Sequence, residues 1–511
     1  MSALDRNSVV AVVGAGTMGR GIAQVALLAG HRVLLHDAAP GQAGAAVEAV
    51  AGRLDHLVTK GRLADTARKA ALDRLAAADG VGDLAGAGLA VEAVVEDLAV
   101  KQRLFAELEA VVGDGCLLAT NTSSLSVTAV AGALRRPGRL VGLHFFNPAP
   151  LLPLVEVVAG AASDAEAVAS AFDTAAAWGK TPVRCADTPG FLVNRVARPF
   201  YAEALRVYEE RAADPATIDA LLRECGGFAM GPFALMDLIG QDVNETVTRS
   251  VWEAFSHDPK FTPSLAQRRL VESGRLGRKS GRGWFSYGPG AAGAPEPHTA
   301  GPEAAPTFVT VRGDLGPARE LVALAERSGI DVRRDPSRRS RGGESPGARG
   351  VVLLPAGTPL HLADGRPPGA PAVQFDLALD YRAATRIAIA PSGAVPADAV
   401  AQATGLFQAL GKKVSVVADV PGMVVARTVA MLVDLAVDAV AKGVASREDV
   451  DTAMRSGVNY PLGPLEWGER ISVSYVRELL DGLHAWYPTG RYAPCPELRR
   501  RAAVAENVIS S

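Results

Sequence analysis

Ser8-Val-Val-Ala-Val-Val13-Gly14-Ala-Gly16-Thr-Met-Gly19 is the stretch from which the fold class follows. Residues 8–13 form a β-branched apolar run of strand length that leads directly into glycines spaced as GxGxxG. A helical stretch then reaches about Ala29, and a second strand follows, Arg32-Val-Leu-Leu-His-Asp37. Strand, turn, helix and strand over about 30 residues make a βαβ unit, which implies a parallel sheet. Glycines at this turn let backbone N–H groups and a helix N-terminus approach a pyrophosphate. Asp37 ends the second strand. A carboxylate there accepts hydrogen bonds from an adenosine ribose and repels the extra phosphate of NADP. The other reading is an ordinary βα turn with a solvent-facing Asp. The context favours NAD, with Gly14, Gly16, Thr17, Met18, Gly19 and Asp37 as its contacts.

Working outward, residues 41–78 carry Ala, Leu, Lys and Arg at helical spacing, broken near Lys60-Gly61 and Asp65. They are expected to form two antiparallel helices inserted after the second strand. Further strands are expected at Leu89–Val95, Cys116–Ala119, Leu140–His144 and Val155–Val158. From Asp187 the strand signal fades, and residues 190–275 read as helices. Gly288–Pro306, rich in Pro, Gly and Ala, reads as a flexible linker. A weaker α/β region extends to about Ala418, followed by more helices. The expected organisation is a Rossmann-type α/β domain (1–187) and a helical domain (188–287). After the linker (288–306) come a degenerate Rossmann-like region (307–418) and a second helical domain (419–511).

That organisation is a duplication. Asp187-Thr-Pro-Gly-Phe-Leu-Val-Asn-Arg195 matches Asp419-Val-Pro-Gly-Met-Val-Val-Ala-Arg427. Gly179-Lys180 matches Gly411-Lys412, and Gly231-Pro232 matches Gly463-Pro464. The numbering offset is the same in every pair (411 less 179 and 463 less 231 both give 232). One ungapped register over more than fifty residues marks a repeat.

Composition narrows the function classes. A chain of 511 residues is too long for one core. With 53 basic against 55 acidic side chains there is no electrostatic reason to expect nucleic acid as a partner. Mean hydropathy is +0.14 and no apolar run reaches membrane-spanning length, so no membrane partner is expected. The N-terminal residues lack the apolar segment of a signal peptide, and a cytoplasmic location is expected. Cys116, Cys185, Cys225 and Cys495 have no CxxC spacing, and the eight histidines have no ligand spacing, so no metal is expected.

Four polar residues sit at the ends of apolar segments: Ser123, His144, Glu156 and Asn194. His144 and Glu156 lie on strand runs, where a charge is costly unless paired. A His–carboxylate pair accounts for both and orients an imidazole for proton transfer. Taken alone, His144 also reads as a hydrogen-bonded core histidine.

Six segments carry a more specific likeness. They are Gly-Ala-Gly-Thr-Met-Gly-Arg-Gly-Ile-Ala, Val-Glu-Ala-Val-Val-Glu (91–96), Asn-Thr-Ser-Ser-Leu, His-Phe-Phe-Asn-Pro, Thr-Pro-Gly-Phe-Leu-Val-Asn-Arg and Met-Gly-Pro-Phe (230–233). In order and spacing they resemble the 3-hydroxyacyl-CoA dehydrogenase family over residues 8–287, with further likeness in the second half. The resemblance implies an NAD-dependent oxidation of a 3-hydroxyacyl-CoA thioester. It makes His144 the general base, Glu156 its support, and Ser123 and Asn194 the groups that hold the substrate. It places Glu96, Lys101, Asn147 and Lys279 on NAD, and Lys60 on the CoA end. Arg53 stands at another CoA position but differs from the family residue there; both Arg53 and Lys60 also read as solvated helix charges. The two-copy architecture resembles bacterial enzymes of phenylacetate breakdown that act on 3-hydroxyadipyl-CoA, and relatives acting on 3-hydroxybutyryl-CoA. Alternatives are a dehydrogenase of free hydroxy or sugar acids, and a non-enzymatic structural member like those of the lens.

The second copy is expected to be silent. The same offset sets Pro355, Asp376, Ala388 and Ala426 opposite Ser123, His144, Glu156 and Asn194. Its glycine turn is reduced to Gly313-Asp-Leu-Gly316. Apolar runs such as Val424–Leu435 need a surface to cover them. In single-copy relatives the equivalent helices pack on a second subunit, so the expected partner is the first copy itself, as a pseudo-dimer within one chain. Further homo-oligomers remain open. The basic loop Arg333–Arg341 reads as solvated.

Overall fold

A computed structural model describes residues 3–335, 350–367 and 370–510. Of the basic loop, Arg333 and Arg334 close a strand and Asp335 follows it, while residues 336–341 lie outside the described residues. Two compact units result: Met1–Arg195 with Lys442–Val458, and Val196–Ala441 with Asn459–Ser511.

The first unit is built on eight strands: β1 (Val9–Val13), β2 (Arg32–His36), β3 (Leu75–Ala77), β4 (Ala87–Glu92), β5 (Leu117–Thr120), β6 (Leu140–Phe145), β7 (Leu154–Ala159) and β8 (Thr181–Ala186). Their order is β3-β2-β1-β4-β5-β6-β7-β8. β1 to β6 pair in parallel, and β7 reverses against β6. The order turns back between β1 and β4, so a crevice opens beyond the strand ends at that point. The central strands are buried along nearly their whole length, which is why they read as continuous apolar runs. The inserted pair is present as Gln42–Thr59 and Asp65–Leu72. β3 and β8 are additions to the expected strands. Both lie at sheet edges, where β8 tolerates Pro182 and an exposed Arg184, so no apolar run marks it.

Among the described residues the second unit carries seven strands: β9 (Phe308–Arg312), β10 (Asp331–Arg334), β11 (Val351–Leu353), β12 (Pro359–Leu362), β13 (Val373–Phe375), β14 (Arg386–Pro391) and β15 (Lys413–Val416). Their order is β10-β9-β11-β12-β13-β14-β15. β13, β14 and β15 repeat the antiparallel-then-parallel pattern of β6, β7 and β8. β11 differs from β4 in running antiparallel to both neighbours. Only residues 354–358 separate it from β12, too few for the crossover that a parallel pair requires.

Residues expected as a flexible linker are partly fixed, which corrects that expectation. The His298 N–H donates to Thr217 Oγ1 at 2.8 Å, and its carbonyl accepts from Ser415 Oγ at 2.7 Å and Arg386 Nη1 at 3.0 Å. The Ala300 N–H donates to the Val414 carbonyl on β15 at 2.8 Å. A Pro-rich segment with no ladder of its own still finds partners along an open sheet edge.

The two copies exchange parts. In the first unit the helix Arg447–Val458 of the second copy packs on β7 and β8, and the Ala186 N–H donates to the Val444 carbonyl at 2.8 Å. In the second unit the helix Pro215–Glu224 of the first copy packs on β14, and the Ala418 N–H donates to the Ala212 carbonyl at 2.9 Å. The repeat offset relates Ala418 to Ala186 and Val444 to Ala212, so the two bonds are one contact made twice (418 less 186 equals 444 less 212).

The helix Val425–Ala441 is apolar and buried almost all round, against Arg198–Glu209, Pro464–Ile471, Val473–Trp486 and Pro496–Ser510. Charge is buried beside it. Glu203, with no exposed surface, accepts from Arg427 Nε at 2.9 Å, Arg491 Nε at 2.9 Å and the Tyr492 hydroxyl at 2.8 Å. Arg427 also donates to both oxygens of Glu210 at 2.8 Å. Burial alone raises the Glu203 pKa, but the Arg491 and Arg427 charges outweigh it and hold the group at about 2. A carboxylate depressed from its ordinary value near 4.5 contributes stability that is complete above that pH and lost as pH falls toward 2. Arg427→Met, which leaves Glu203 short of a partner, is expected to destabilise the second unit by about 3–5 kcal/mol in denaturant unfolding. Glu203→Gln should flatten the loss of stability between roughly pH 4.5 and 2 seen in acid titration.

Candidate active site

The turn after β1 is shaped for a pyrophosphate. Gly14 has φ +105°, and a Cβ there would meet the Ala93 carbonyl oxygen at 2.4 Å. At Gly19 a Cβ would lie 1.7 Å from the Gly14 oxygen, so helix and strand could not close together. Gly16 differs, because no atom lies within 4 Å of a Cβ built on it. The space in front of the helix Thr17–Leu28 is therefore open, and no side chain caps that helix. Its first N–H groups are left for an anionic ligand. Asp37 is tied into the same turn, with Oδ2 accepting from the Ala15 N–H at 2.7 Å and Oδ1 from the Ala39 N–H at 2.9 Å. The residues fit a dinucleotide.

β6 and β7 set His144 directly across from Glu156 in the antiparallel ladder. His144 Nδ1 lies 2.6 Å from Glu156 Oε2. The His144 side chain is 7% exposed and that of Glu156 not at all. Glu156 Oε1 accepts from the Leu192 and Val193 N–H groups at 3.1 and 2.8 Å, at the start of the short helix Val193–Val196. This carboxylate accepts hydrogen bonds at both oxygens, which puts the proton on His144 Nδ1 and leaves Nε2 as the basic nitrogen. Phe146 and Phe191 flank the ring, with centroids 4.6 and 5.8 Å away. Asn194 follows Val193 on that helix, half-buried.

A second acidic centre stands beyond β4. Glu96 Oε1 accepts from Thr122 Oγ1 at 2.6 Å, the Ser123 N–H at 2.9 Å, and the Ser124 N–H and Oγ at 3.0 and 2.9 Å. Its other oxygen lies 3.2 Å from Lys101 Nζ. Burial works against the charged form, yet the Thr122 hydroxyl, the Lys101 charge and the backbone donors pull its pKa down to about 2. Glu96 thus fixes the loop that presents Ser123. Lys101 is itself buried and donates to Glu92 Oε1 at 2.5 Å, while Glu92 Oε2 accepts from Thr120 Oγ1 at 2.7 Å. Glu92 and Thr120 escaped the sequence reading as functional supports. An acid inside the apolar run Leu89–Val95 was the available signal.

Asn147 is exposed on the loop that joins β6 to β7. Lys180, also missed, ties that loop shut by donating to the carbonyls of Ala149 at 2.5 Å and Leu152 at 3.0 Å. Arg53 lies on the helix Gln42–Thr59, and exposed Lys60 caps its end. Lys279 belongs to the second unit, where it pairs with Asp242 at 2.6 Å.

The second copy repeats the frame without the histidine. The Asp376 N–H donates to the Ala388 carbonyl at 3.0 Å, the same register that pairs His144 with Glu156. Asp376 Oδ2 accepts from the Val424 and Val425 N–H groups at 3.0 and 2.8 Å, and Oδ1 from Ala426 at 2.9 Å. The carboxylate that holds the helix start has crossed the ladder to the histidine's position, and no imidazole remains. Burial raises its pKa to about 6 against the pull of those N–H groups. Asp335, at the end of β10, is paired with Arg312 at 2.7 Å.

Residues 9–188 match the profile described as 3-hydroxyacyl-CoA dehydrogenase, NAD binding domain, and residues 190–287 and again 422–507 its C-terminal domain. The chain belongs to the 3-hydroxyacyl-CoA dehydrogenase family. Residues 360–421 match the reduced Rossmann-fold domain of 3-hydroxybutyryl-CoA dehydrogenase. The 3-hydroxyadipyl-CoA dehydrogenase of Escherichia coli K12 is 43% identical over 493 residues, 96% of this chain and 97% of that one. The crystal structure of 3-hydroxybutyryl-CoA dehydrogenase from E. coli K12 superposes with a TM-score of 0.87 at 41% identity, covering 99% and 100% of the two chains. A Mycobacterium tuberculosis 3-hydroxybutyryl-CoA dehydrogenase is 40% identical over 280 residues, 54% of this chain but 98% of its own length. As a member of this family the chain is an NAD-dependent 3-hydroxyacyl-CoA dehydrogenase, an oxidoreductase. Asp37→Ala should raise the KM for NAD by about 10- to 100-fold, the worth of charge-assisted hydrogen bonds, and affect NADP less. Steady-state kinetics with both cofactors measures this, and an unchanged preference would refute the assignment of Asp37.

Proposed function

We propose that His144 is the general base that takes the proton from the 3-hydroxyl of a 3-hydroxyacyl-CoA, and that 3-hydroxyadipyl-CoA is the preferred thioester. The observation that carries the first part is the 2.6 Å contact between His144 Nδ1 and a carboxylate with no exposed surface. With Nδ1 held, Nε2 accepts the hydroxyl proton, and Glu156 stabilises the imidazolium that forms. NAD, when bound, accepts the hydride that leaves C3. Ser123 and Asn194 hold the substrate oxygens, Ser123 on a loop fixed by Glu96. Gly14, Gly16, Thr17, Met18, Gly19, Asp37, Glu96, Lys101, Asn147 and Lys279 are assigned to NAD, and Arg53 and Lys60 to the CoA phosphates. The choice of acyl chain rests on the near full-length likeness to the E. coli 3-hydroxyadipyl-CoA enzyme; 3-hydroxybutyryl-CoA is the second candidate. Four free, buried thiols support a reducing compartment, the cytoplasm.

The second copy serves, on this reading, as a built-in partner for the first. The exchanged helices and the repeated backbone contact support a pseudo-dimer within one chain. The reduced glycine turn of the second copy, Gly313-Asp-Leu-Gly316, supports a single NAD site.

His144→Gln is expected to lower kcat by about 10²–10⁴-fold while NAD affinity stays nearly constant, since the base meets only the reacting hydroxyl. Glu156→Gln should cost less. Equal turnover of a free 3-hydroxy acid and its thioester would overturn the substrate class. Comparing kcat/KM for the adipyl and butyryl thioesters decides the acyl chain. Calorimetric titration should find one NAD per chain, and a truncation ending at Tyr287 should self-associate. Two NAD sites, or a fully active monomeric 1–287 fragment, would remove the partner role.

A further inference from the structure

We propose that the helix Arg447–Val458, from the copy without catalytic residues, positions the His144–Glu156 pair of the other copy through a contact at Gly457. The inference rests on the reading of that pair as the base and its support. The helix packs on β7 and β8, and its approach is pinned where the Ala186 N–H donates to the Val444 carbonyl at 2.8 Å. At its far end Gly457 is fully occupied by neighbours. A Cβ there would lie 2.4 Å from Leu154 Cδ2 and 3.5 Å from Val193 Cγ2.

Those two residues belong to the two elements that hold the carboxylate, the strand that carries it and the helix start that donates to it. Leu154 is two positions before Glu156 on β7, so both side chains point to the same face. The Val193 N–H is a hydrogen-bond donor to Glu156 Oε1, at 2.8 Å. Pressure from the helix end therefore falls on the strand that carries Glu156 and on the helix start that holds it. Its distance to the imidazole is set by both.

Glycine is not demanded there by the backbone, since Gly457 is absent from the left-handed region. The equivalent position in the first copy is Cys225, which fits a thiol against the silent copy with Sγ 3.2 Å from the Leu377 oxygen. Gly in a helix interior weakens the helix. What requires it at 457 is the close approach to Leu154.

The test uses the full-length chain with Gly457→Ala and Gly457→Val, measuring kcat, both KM values and the pH dependence of kcat. kcat should fall by about 10-fold for Ala and further for Val, within the ~10²-fold that a 1 Å displacement costs. Both KM values should stay within about 2-fold while the midpoint of the pH profile moves, because the carboxylate no longer supports the imidazolium equally. Adding Leu154→Ala to Gly457→Ala should restore kcat and midpoint together. Cys225→Leu applies the same pressure to the silent copy, and should lower Tm and leave the pH profile in place. If both Gly457 variants fail to fold, Leu154→Ala alone loosens the contact and should move the midpoint. A Gly457→Ala enzyme with the wild-type profile, an equal shift from Cys225→Leu, or no shift from Leu154→Ala in that last case overturns the proposal. His144→Gln run alongside separates the outcomes. If it stays active, the reading of the base has failed; if it is inactive while Gly457→Ala is normal, only the positioning role has.

Discussion

Glu156 has no solvent-exposed surface, and an ionised carboxylate in such a place is tolerable only because donors converge on it. Two are backbone N–H groups at the start of Val193–Val196, and the third is the imidazole of His144. Much of the first unit is arranged around that convergence. The β6–β7 register sets the histidine opposite the acid, and the turn at Pro189-Gly190 brings the chain back so that its N–H groups face Oε1. The turn itself is strained: Gly190 has φ +72°, and Phe191 takes φ +47°. Phe191 then lies against the imidazole, so the same bend that aims the donors also walls the ring.

The second copy, which lacks the histidine, isolates which part of this arrangement is architecture. Gly422 and Met423 repeat the turn with φ +74° and +49°, and Lys412 repeats the loop clasp of Lys180 by donating to the carbonyls of Arg382 and Ala384. Asp376 repeats the clamp from the other strand. A helix start needs an acceptor whether or not chemistry happens there. The carboxylate is therefore a structural requirement met in both copies, and only the first adds an imidazole to it. The buried Glu203–Arg427–Arg491 cluster follows a similar logic. It joins a helix of the first copy to the long helix of the second, with Glu210, Tyr492 and the carbonyls of Pro259 and Lys260 taking up the remaining donors and acceptors.

How far the sequence could be read depended on whether a feature was local. The glycine turn, the inserted helix pair and the central strands were legible because apolar runs and glycine spacing report directly on buried strands and tight turns. The His144–Glu156 pair was legible because both residues are polar inside apolar strands. β8 was not, since an edge strand tolerates Pro182 and Arg184. The segment from His298 to Ala300 read as flexible because its composition carries no periodicity, yet its backbone groups are taken up by β15 and by Thr217. Lys180 and Glu92 were passed over because their partners, two loop carbonyls and a buried lysine, are invisible without the fold.

The amino-acid sequence by itself determined the class of the first domain, its cofactor, the polar pair on its buried strands and the absence of that histidine from the second copy. Each depends on residue type at a fixed spacing, and a missing histidine is missing in any fold. Only the tertiary structure decided where the second copy's parts belong. Residues 442–458 follow the long buried helix in the chain, yet they pack on β7 and β8. Which surface covers an amphipathic helix depends on the shape and hydrogen-bonding groups of its partner, and periodicity records only that some surface must.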